Sequence, residues 1–144
     1  MAKGTSFCNS LVDLIYRATA IANIADNAAS SPITNIQMAL HTASPGAGGG
    51  QNTNETSYTN YARVAVARSG AGWSAASAGQ NQNAALTQFA QCGVTGATVT
   101  FVSTGRDASG AGLLFHFGAL NSSLAVSNGI QPQFSAGGIT IQES

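Results

Sequence analysis

Residues 96–120 read GATVTFVSTGRDASGAGLLFHFGAL. In the first part, Val99 and Phe101 alternate with threonines, which is the two-residue period of a β-strand. The turn-rich segment GRDASGAG (105–112) follows. The second part, 112–120, carries apolar side chains on both of the faces that a strand presents, and this pattern is typical of a strand in the middle of a sheet. We therefore predict two strands here, the second of them central.

The same alternation continues on either side of this stretch, with Gly, Asn and Ser clusters between the strands. Further strands are predicted at IQMALHT (36–42), YARVAVARS (61–69), AALTQFAQ (84–91), SLAVSNG (123–129), IQPQFS (130–135) and GGITIQE (137–143), with a short one around Trp73. Asn128-Gly129 is a hairpin-turn signal. Because no long helix separates these strands, we predict a mainly β fold, an antiparallel β-sandwich, with jelly-roll connections as one arrangement.

The N-terminal part has a different period. The residues Leu11, Leu14, Ile15, Ala18 and Ala22 lie near helical spacing, and Ser6 or Ser10 could cap the helix. A connecting segment follows at 23–35, where Pro32 stops any helix. We predict residues 1–35 as a short N-terminal helix with its connecting segment, as part of the same unit or as an arm, and residues 36–144 as the β-sandwich domain.

Composition excludes several classes of function. Only 7% of the 144 residues are charged and the net charge is zero, so the chain lacks the basic surface of a nucleic-acid-binding protein. No apolar run approaches the roughly 20 residues of a membrane span, and MAKGTSFCNS at the N-terminus has no apolar signal region. We expect a soluble protein made in the cytoplasm. A neutral surface of this kind also suits contact with other copies or with a partner.

Residue types that carry chemistry are scarce and scattered. The acids show no local pairing of the kind a glycosidase needs, and no GxSxG motif accompanies the serines. His41 is expected to be hydrogen-bonded at a strand end, and His116 to pack beside aromatic rings. Cys8 and Cys92 are expected to be reduced and partly buried thiols. We therefore predict no enzymatic activity, catalytic residue, cofactor, metal site or small-molecule substrate.

Residues 53–70, TNETSYTNYARVAVARSG, hold two of the five basic residues. With Val64 and Val66 facing the core, Arg63 is expected to point outward, and Arg68 to reach from the strand end toward Glu55 or a neighbouring chain. Tyr and Arg are enriched at interface hot spots. The candidate partner-interface residues are Tyr58, Tyr61, Arg63, Arg68 and Trp73.

Four segments resemble a family of tailed-bacteriophage virion proteins. They are ALHTASPG (39–46) and NETSYTNYARVAVARS (54–69), with ATAIANIADNAASSP (18–32) upstream and ALNSSLAVSNGIQPQFSAGGITI (119–141) downstream. The resemblance covers most of the chain. It implies a virion structural protein without enzymatic activity, located in the virion and made in the host bacterial cytoplasm.

Within this resemblance, the features of the chain favour a capsid decoration, or cement, protein. Such a protein would bridge neighbouring major capsid subunits and contact copies of itself, so the expected partners are the major capsid protein and a homo-oligomer. One alternative is a tail component, a fibre or an adaptor. A second alternative is a carbohydrate-binding sandwich module, whose exposed aromatic platform would have to come from Trp73, Tyr58 and Tyr61.

Overall fold

The computed structural model describes residues 3–21 and 32–143. Within these ranges the elements, in chain order, are α1 (Thr5–Arg17), β1 (Asn35–His41), β2 (Val64–Ala67), β3 (Gln80–Gln82), β4 (Thr87–Gln88), β5 (Ala97–Gly105), β6 (Leu114–Val126), β7 (Gln133–Phe134) and β8 (Thr140–Gln142). The predictions of a mainly β chain, antiparallel pairing and one short N-terminal helix are confirmed. Jelly-roll connections stay a prediction. Most of the predicted connecting segment, 23–35, lies outside the described residues.

The described chain forms two compact units, and each unit is made of stretches that are separate in the sequence. The helix unit contains Met1–Asn35, Ala67–Thr87 and Phe134–Ser144. The sheet unit contains Ile36–Val66 and Gln88–Gln133. The proposed division of the sequence into residues 1–35 and 36–144 stays a prediction.

The four-stranded sheet has the order β2-β1-β5-β6, so β1 and β5 are its central strands. They pair antiparallel, with Ala39 opposite Ser103 and Leu40 opposite Val102. Residues 38–41 of β1 and 102–105 of β5 are buried without interruption. Neighbouring residues of a strand point to opposite faces. Continuous burial therefore means that both faces of these two strands are covered.

The prediction of a central strand at 112–120 is wrong. The segment belongs to β6, which also includes most of the predicted strand 123–129 and forms the outer edge of the sheet. Phe117, Gly118 and Ala119 are exposed. The apolar pattern on both faces predicts burial, but the described residues leave this part of β6 uncovered.

The turn predicted at Asn128-Gly129 forms, but it does not close a hairpin. Gly129 has φ of 85°, and the Ile130 amide donates to the Ser127 carbonyl at 2.9 Å. The strand before the turn, β6, pairs with β5, whereas β7 after the turn pairs with β4. The turn predicted from Asn128-Gly129 is therefore confirmed, whereas the hairpin pairing of the two flanking strands is wrong.

In the helix unit, α1 buries the stripe Cys8, Val12 and Tyr16, which recur every four residues. The Tyr16 ring meets Trp73 edge-on, with centroids 4.6 Å apart. Of the predicted stripe, Leu11, Leu14, Ile15 and Ala18 are only half-buried, because the helix turns the neighbouring face toward the core. Ala22 lies outside the described residues. The predicted caps Ser6 and Ser10 lie inside the helix, since α1 begins at Thr5 and Gly4 is its N-cap.

Side chains on α1 also hold the chain that leads into β3. The Asn9 side-chain oxygen accepts from the Gly79 amide, and the Asp13 carboxylate accepts from the Ala76 amide at 2.9 Å. β3 then pairs antiparallel with β8. Sequence reasoning missed β3 because Gln-Asn-Gln has neither apolar alternation nor β-branched residues. The strand predicted around Trp73 is reduced to a single bridge with Asn83.

Candidate functional site

The Arg63 side chain is tied into the sheet unit. Its Nε and Nη2 atoms donate to the two carboxylate oxygens of Glu55, each at 2.7 Å. It also donates to the carbonyl oxygens of Asp107 and Gly110 at 2.7 Å. The side chain is 2% exposed and that of Glu55 is 15% exposed. The expectation that Arg63 points outward is therefore wrong.

This ion pair connects two loops. Glu55 lies in the loop between β1 and β2, and Asp107 and Gly110 lie in the loop between β5 and β6. The hydrogen bond with Glu55 raises the pKa of the Arg63 guanidinium above its ordinary value. A two-point ion pair with two further carbonyl acceptors fixes orientation as well as distance. The 43–60 loop is consequently held against the 105–112 loop.

Tyr61 extends this cluster toward the strands. Its hydroxyl donates to Glu55 at 2.8 Å and accepts from the Leu40 amide of β1 at 3.0 Å. The ring stacks on Phe89, with centroids 6.3 Å apart, and meets the Tyr58 ring edge-on at 5.2 Å. Burial raises the pKa of Tyr61 well above its ordinary range. Tyr61 is half-buried, and its polar end is already engaged within the chain.

Tyr58 and Trp73 are buried, so neither ring is available as an exposed platform. The Tyr58 hydroxyl donates to the Ala90 carbonyl at 2.9 Å, and burial raises the pKa of Tyr58 to about 12. Trp73 belongs to the core of the helix unit. The carbohydrate-binding alternative depended on these rings, and the structure removes two of the three.

Arg68 does not reach Glu55. Its guanidinium donates to the carbonyl oxygens of Leu14 and Ile15 at 2.5 Å each, and to that of Ile33 at 3.4 Å. Leu14 and Ile15 lie in the last turn of α1, where carbonyl groups lack intrahelical partners and the helix dipole is negative. Arg68 therefore caps the helix from outside it. Arg63 and Arg68, the two arginines of residues 53–70, act inside their own units, and a role in partner binding stays a prediction for all five interface candidates.

His41 lies at the end of β1 and is buried. Its Nδ1 is 2.9 Å from the Thr53 carbonyl oxygen and its Nε2 is 2.7 Å from the Ser103 hydroxyl. A carbonyl oxygen only accepts, so the neutral ring carries its proton on Nδ1, and Nε2 accepts from Ser103. Burial lowers the pKa of His41, which favours this neutral form. The prediction of a hydrogen-bonded histidine at a strand end is confirmed.

The His41–Ser103 pair resembles two members of a hydrolytic triad, but its surroundings differ. The third position is the Thr53 carbonyl oxygen rather than a carboxylate, and both side chains are buried. A nucleophile must be open to its substrate, and neither group is. The pair links β1, β5 and the 43–60 loop.

Gln51 is a structural residue that sequence reasoning missed. It is buried, and its Oε1 accepts from the Asp107 amide at 2.8 Å. Gly105 and Gly112 leave the space that its side chain occupies, because a Cβ at either position would overlap Gln51. The feature of the sequence that could have indicated a closely packed side chain here is the pair of glycines that flank residues 106–111. Arg106 and Asp107, which are adjacent in this loop, form an ion pair, and Asp107 also accepts from the Leu113 amide at 3.2 Å.

An open cleft of about 420 Å³ lies over this cluster, lined by residues 55–58, 60–63 and 108–110. The charged residues that line it, Glu55 and Arg63, already bind each other. Within residues 3–21 and 32–143, no group of three or more His, Cys, Asp or Glu side chains is placed to hold a metal ion. No described helix has the length and apolar character of a membrane span. Cys8 and Cys92 are free cysteines, as predicted, and they are buried rather than partly buried.

Comparison with known families bears on almost the whole chain. A family model described as podophage GP4 fiber I protein gp80 matches residues 9–142. The match begins within α1 and includes all eight described strands. A comparison with curated proteins gives no match. The chain therefore belongs to the family of podophage GP4 fiber I protein gp80, and is a virion structural protein of a tailed phage.

Proposed function

We propose that this protein is a tail component of a tailed phage, of the fibre type, and that its role is structural rather than enzymatic. The observation that carries the proposal is the family match over residues 9–142, whose description names a fibre protein. It favours the tail alternative over capsid decoration, which was the main prediction from the sequence. The major capsid protein is correspondingly a weaker candidate for the partner.

The geometry of the sheet unit supports a structural role. The long 43–60 loop is held by a buried ion pair, by the Gln51 side chain and by the His41–Thr53 hydrogen bond. Loops of this length are often mobile, and long loops that change shape are common in enzymes. Here the two charged side chains of the cleft, Glu55 and Arg63, bind each other, which suits a protein that must keep its shape within an assembly.

Copy number in purified virions tests the proposal. A tail component is expected at about 3 to 18 copies per particle, as ring symmetry provides, whereas a decoration protein is expected at hundreds. Quantitative mass spectrometry with isotope-labelled peptides of this chain gives the number, with the major capsid protein and a known tail protein as internal standards. Hundreds of copies would overturn the tail assignment and restore capsid decoration.

Cryo-electron microscopy of the same particles tests location independently. Density that fits the described sheet unit should lie on the tail or its fibres. Density at regular positions over the head shell would contradict the proposal, whatever the copy number.

A further inference from the structure

The turn at Asn128-Gly129 brings together two residues that can react with each other. It is the only Asn-Gly sequence in the chain, and both residues are exposed. Asparagine is a thermolabile residue, because the backbone nitrogen that follows it can attack its side-chain carbonyl carbon. Glycine in the next position offers no side chain to hinder that attack. The sequence therefore provides a deamidation site, and the conformation of the turn controls how often it reacts.

The reaction needs only water. The Gly129 backbone nitrogen loses its proton and forms a bond with Cγ of Asn128, and the side-chain nitrogen of Asn128 leaves as ammonia. The five-membered imide that results then adds one water molecule. Opening at the side-chain carbonyl gives aspartate. Opening at the main-chain carbonyl gives isoaspartate, whose main chain runs through the side-chain carbon and is one methylene longer.

The backbone geometry of the folded turn opposes ring closure. Asn128 has a negative φ and Gly129 has φ of 85°. With the hydrogen bond of 2.9 Å from the Ile130 amide to the Ser127 carbonyl, these angles define a type II turn. Ring closure requires the Asn128 Cβ and the Gly129 nitrogen to be nearly eclipsed about the bond that joins Cα to the carbonyl carbon. A type II turn holds these two atoms far from that arrangement.

Hydrogen bonds from a neighbouring segment hold the turn closed. The Gly129 amide donates to the Cys92 carbonyl at 2.9 Å, which engages the proton that a base must remove. The Cys92 amide donates back to the Ile130 carbonyl at 2.8 Å, and Cys92 is 2% exposed, so this segment is anchored in the core. The Gln91 side chain donates to the Gly129 carbonyl at 2.8 Å. Attack by the Gly129 nitrogen therefore requires the turn to open first.

We propose that Asn128-Gly129 is a latent deamidation site, which the folded turn protects and which converts irreversibly to aspartate or isoaspartate when the turn opens. Exposed turns open locally at a lower free-energy cost than the whole domain. The conversion would change the character of this region, since no Asp, Glu, Lys or Arg occurs in residues 108–142. Either product introduces a carboxylate there, and isoaspartate also changes the spacing of the groups that close the turn.

Peptide mapping of the purified full chain by liquid chromatography and mass spectrometry tests the proposal. The chain is incubated at mildly alkaline pH, either folded or unfolded in guanidinium chloride, and the peptide that contains residue 128 is followed over time. Conversion in the folded protein should be at least about tenfold slower than in the unfolded chain. Asn128→Gln should abolish the conversion in both states, which assigns the signal to this residue.

Gln91→Ala tests the role of the turn contacts without altering the Asn-Gly sequence. It removes the hydrogen bond to the Gly129 carbonyl, so conversion in the folded state should accelerate about two- to tenfold. Conversion in the unfolded chain should not change. Gln88→Ala is the matched control, because the Gln88 side chain is exposed and donates to Gln133 rather than to the turn. Its rates should equal those of the wild type in both states.

Equal rates in the folded and unfolded wild type would overturn the proposal, and this comparison depends on no variant. Conversion that persists in Asn128→Gln would place the reaction at another residue. A folded-state rate that Gln91→Ala leaves unchanged would show that these contacts do not control the opening. Each result is obtained on isolated protein, so it stands apart from the copy-number test of tail location.

Discussion

Arg63 and Glu55 form a two-point ion pair, with both nitrogen–oxygen distances 2.7 Å, below the surface of the sheet unit. The two residues are eight positions apart and lie on either side of Tyr61, whose hydroxyl binds the same carboxylate. The Glu55 carboxylate therefore accepts hydrogen bonds from both the Arg63 guanidinium and the Tyr61 hydroxyl. In a chain with so few charges, this pair fixes the position of two loops.

Arg63→Ala should destabilise the protein by about 3 kcal/mol, because it leaves the Glu55 carboxylate without its cation and two carbonyl groups without their donor. Urea unfolding followed by far-ultraviolet circular dichroism measures the loss. Arg106→Ala is the matched control, since the Arg106 side chain is 53% exposed and its pair with Asp107 should contribute less than about 1 kcal/mol. Equal stability of Arg63→Ala and the wild type would show that the ion pair does not hold the loops.

Arg68→Ala should destabilise the helix unit by about 1–2 kcal/mol, because the last carbonyl groups of α1 lose charged hydrogen-bond donors. Fluorescence of Trp73, the single tryptophan, reports on this unit, since its ring contacts Tyr16 of α1. Arg17→Ala serves as the control within α1. Arg17 lies 3.5 Å from Asp13 one turn earlier, and such helix pairs contribute about 0.3–0.5 kcal/mol. If the two variants unfold at the same urea concentration, Arg68 is not a cap.

Gly105→Ala should cost roughly 1–3 kcal/mol, because the added methyl group would overlap the buried Gln51 side chain. Gly118→Ala, at an open position of the neighbouring strand, should be close to neutral by comparison. The double variant Gly105→Ala/Gln51→Ala should lose less stability than the sum of the two single variants, since truncating Gln51 makes room for the methyl group. Strict additivity of the three free energies of unfolding would contradict the proposed close packing.

Stability should fall as the pH is lowered below about 6.5, the ordinary histidine pKa. Burial lowers the pKa of both His41 and His116 in the folded protein, so the unfolded chain binds protons first. The stability that the neutral rings provide is complete above the unfolded pKa and is lost as the pH falls toward the lowered folded values. His41→Gln should flatten part of this slope in urea titrations between pH 7 and 5. A slope unchanged by the substitution would assign the pH dependence to other groups.

The candidate site could be predicted only in part. The sequence grouped Tyr61 and Arg63 as interface candidates within one short stretch, and it offered Glu55 as a partner of Arg68 rather than of Arg63. It could not indicate that Asp107 and Gly110, more than forty residues away, supply the remaining acceptors for Arg63. Nor could it separate a buried arginine from an exposed one, since a charged residue is buried only when distant groups satisfy it. The same reason explains why Arg68 was assigned to Glu55 rather than to the end of α1.

Local sequence is sufficient to predict the N-terminal helix, the alternation that makes most of the strands, and the turn at Asn128-Gly129. These depend on side-chain period and backbone preference within a few residues. The pairing of the strands, the edge position of β6 and the binding of Arg63 and Arg68 within their own units become known only from the folded chain. Strand order and burial depend on contacts between segments far apart in the chain. An apolar strand has the same sequence whether its own chain or a neighbouring one covers it.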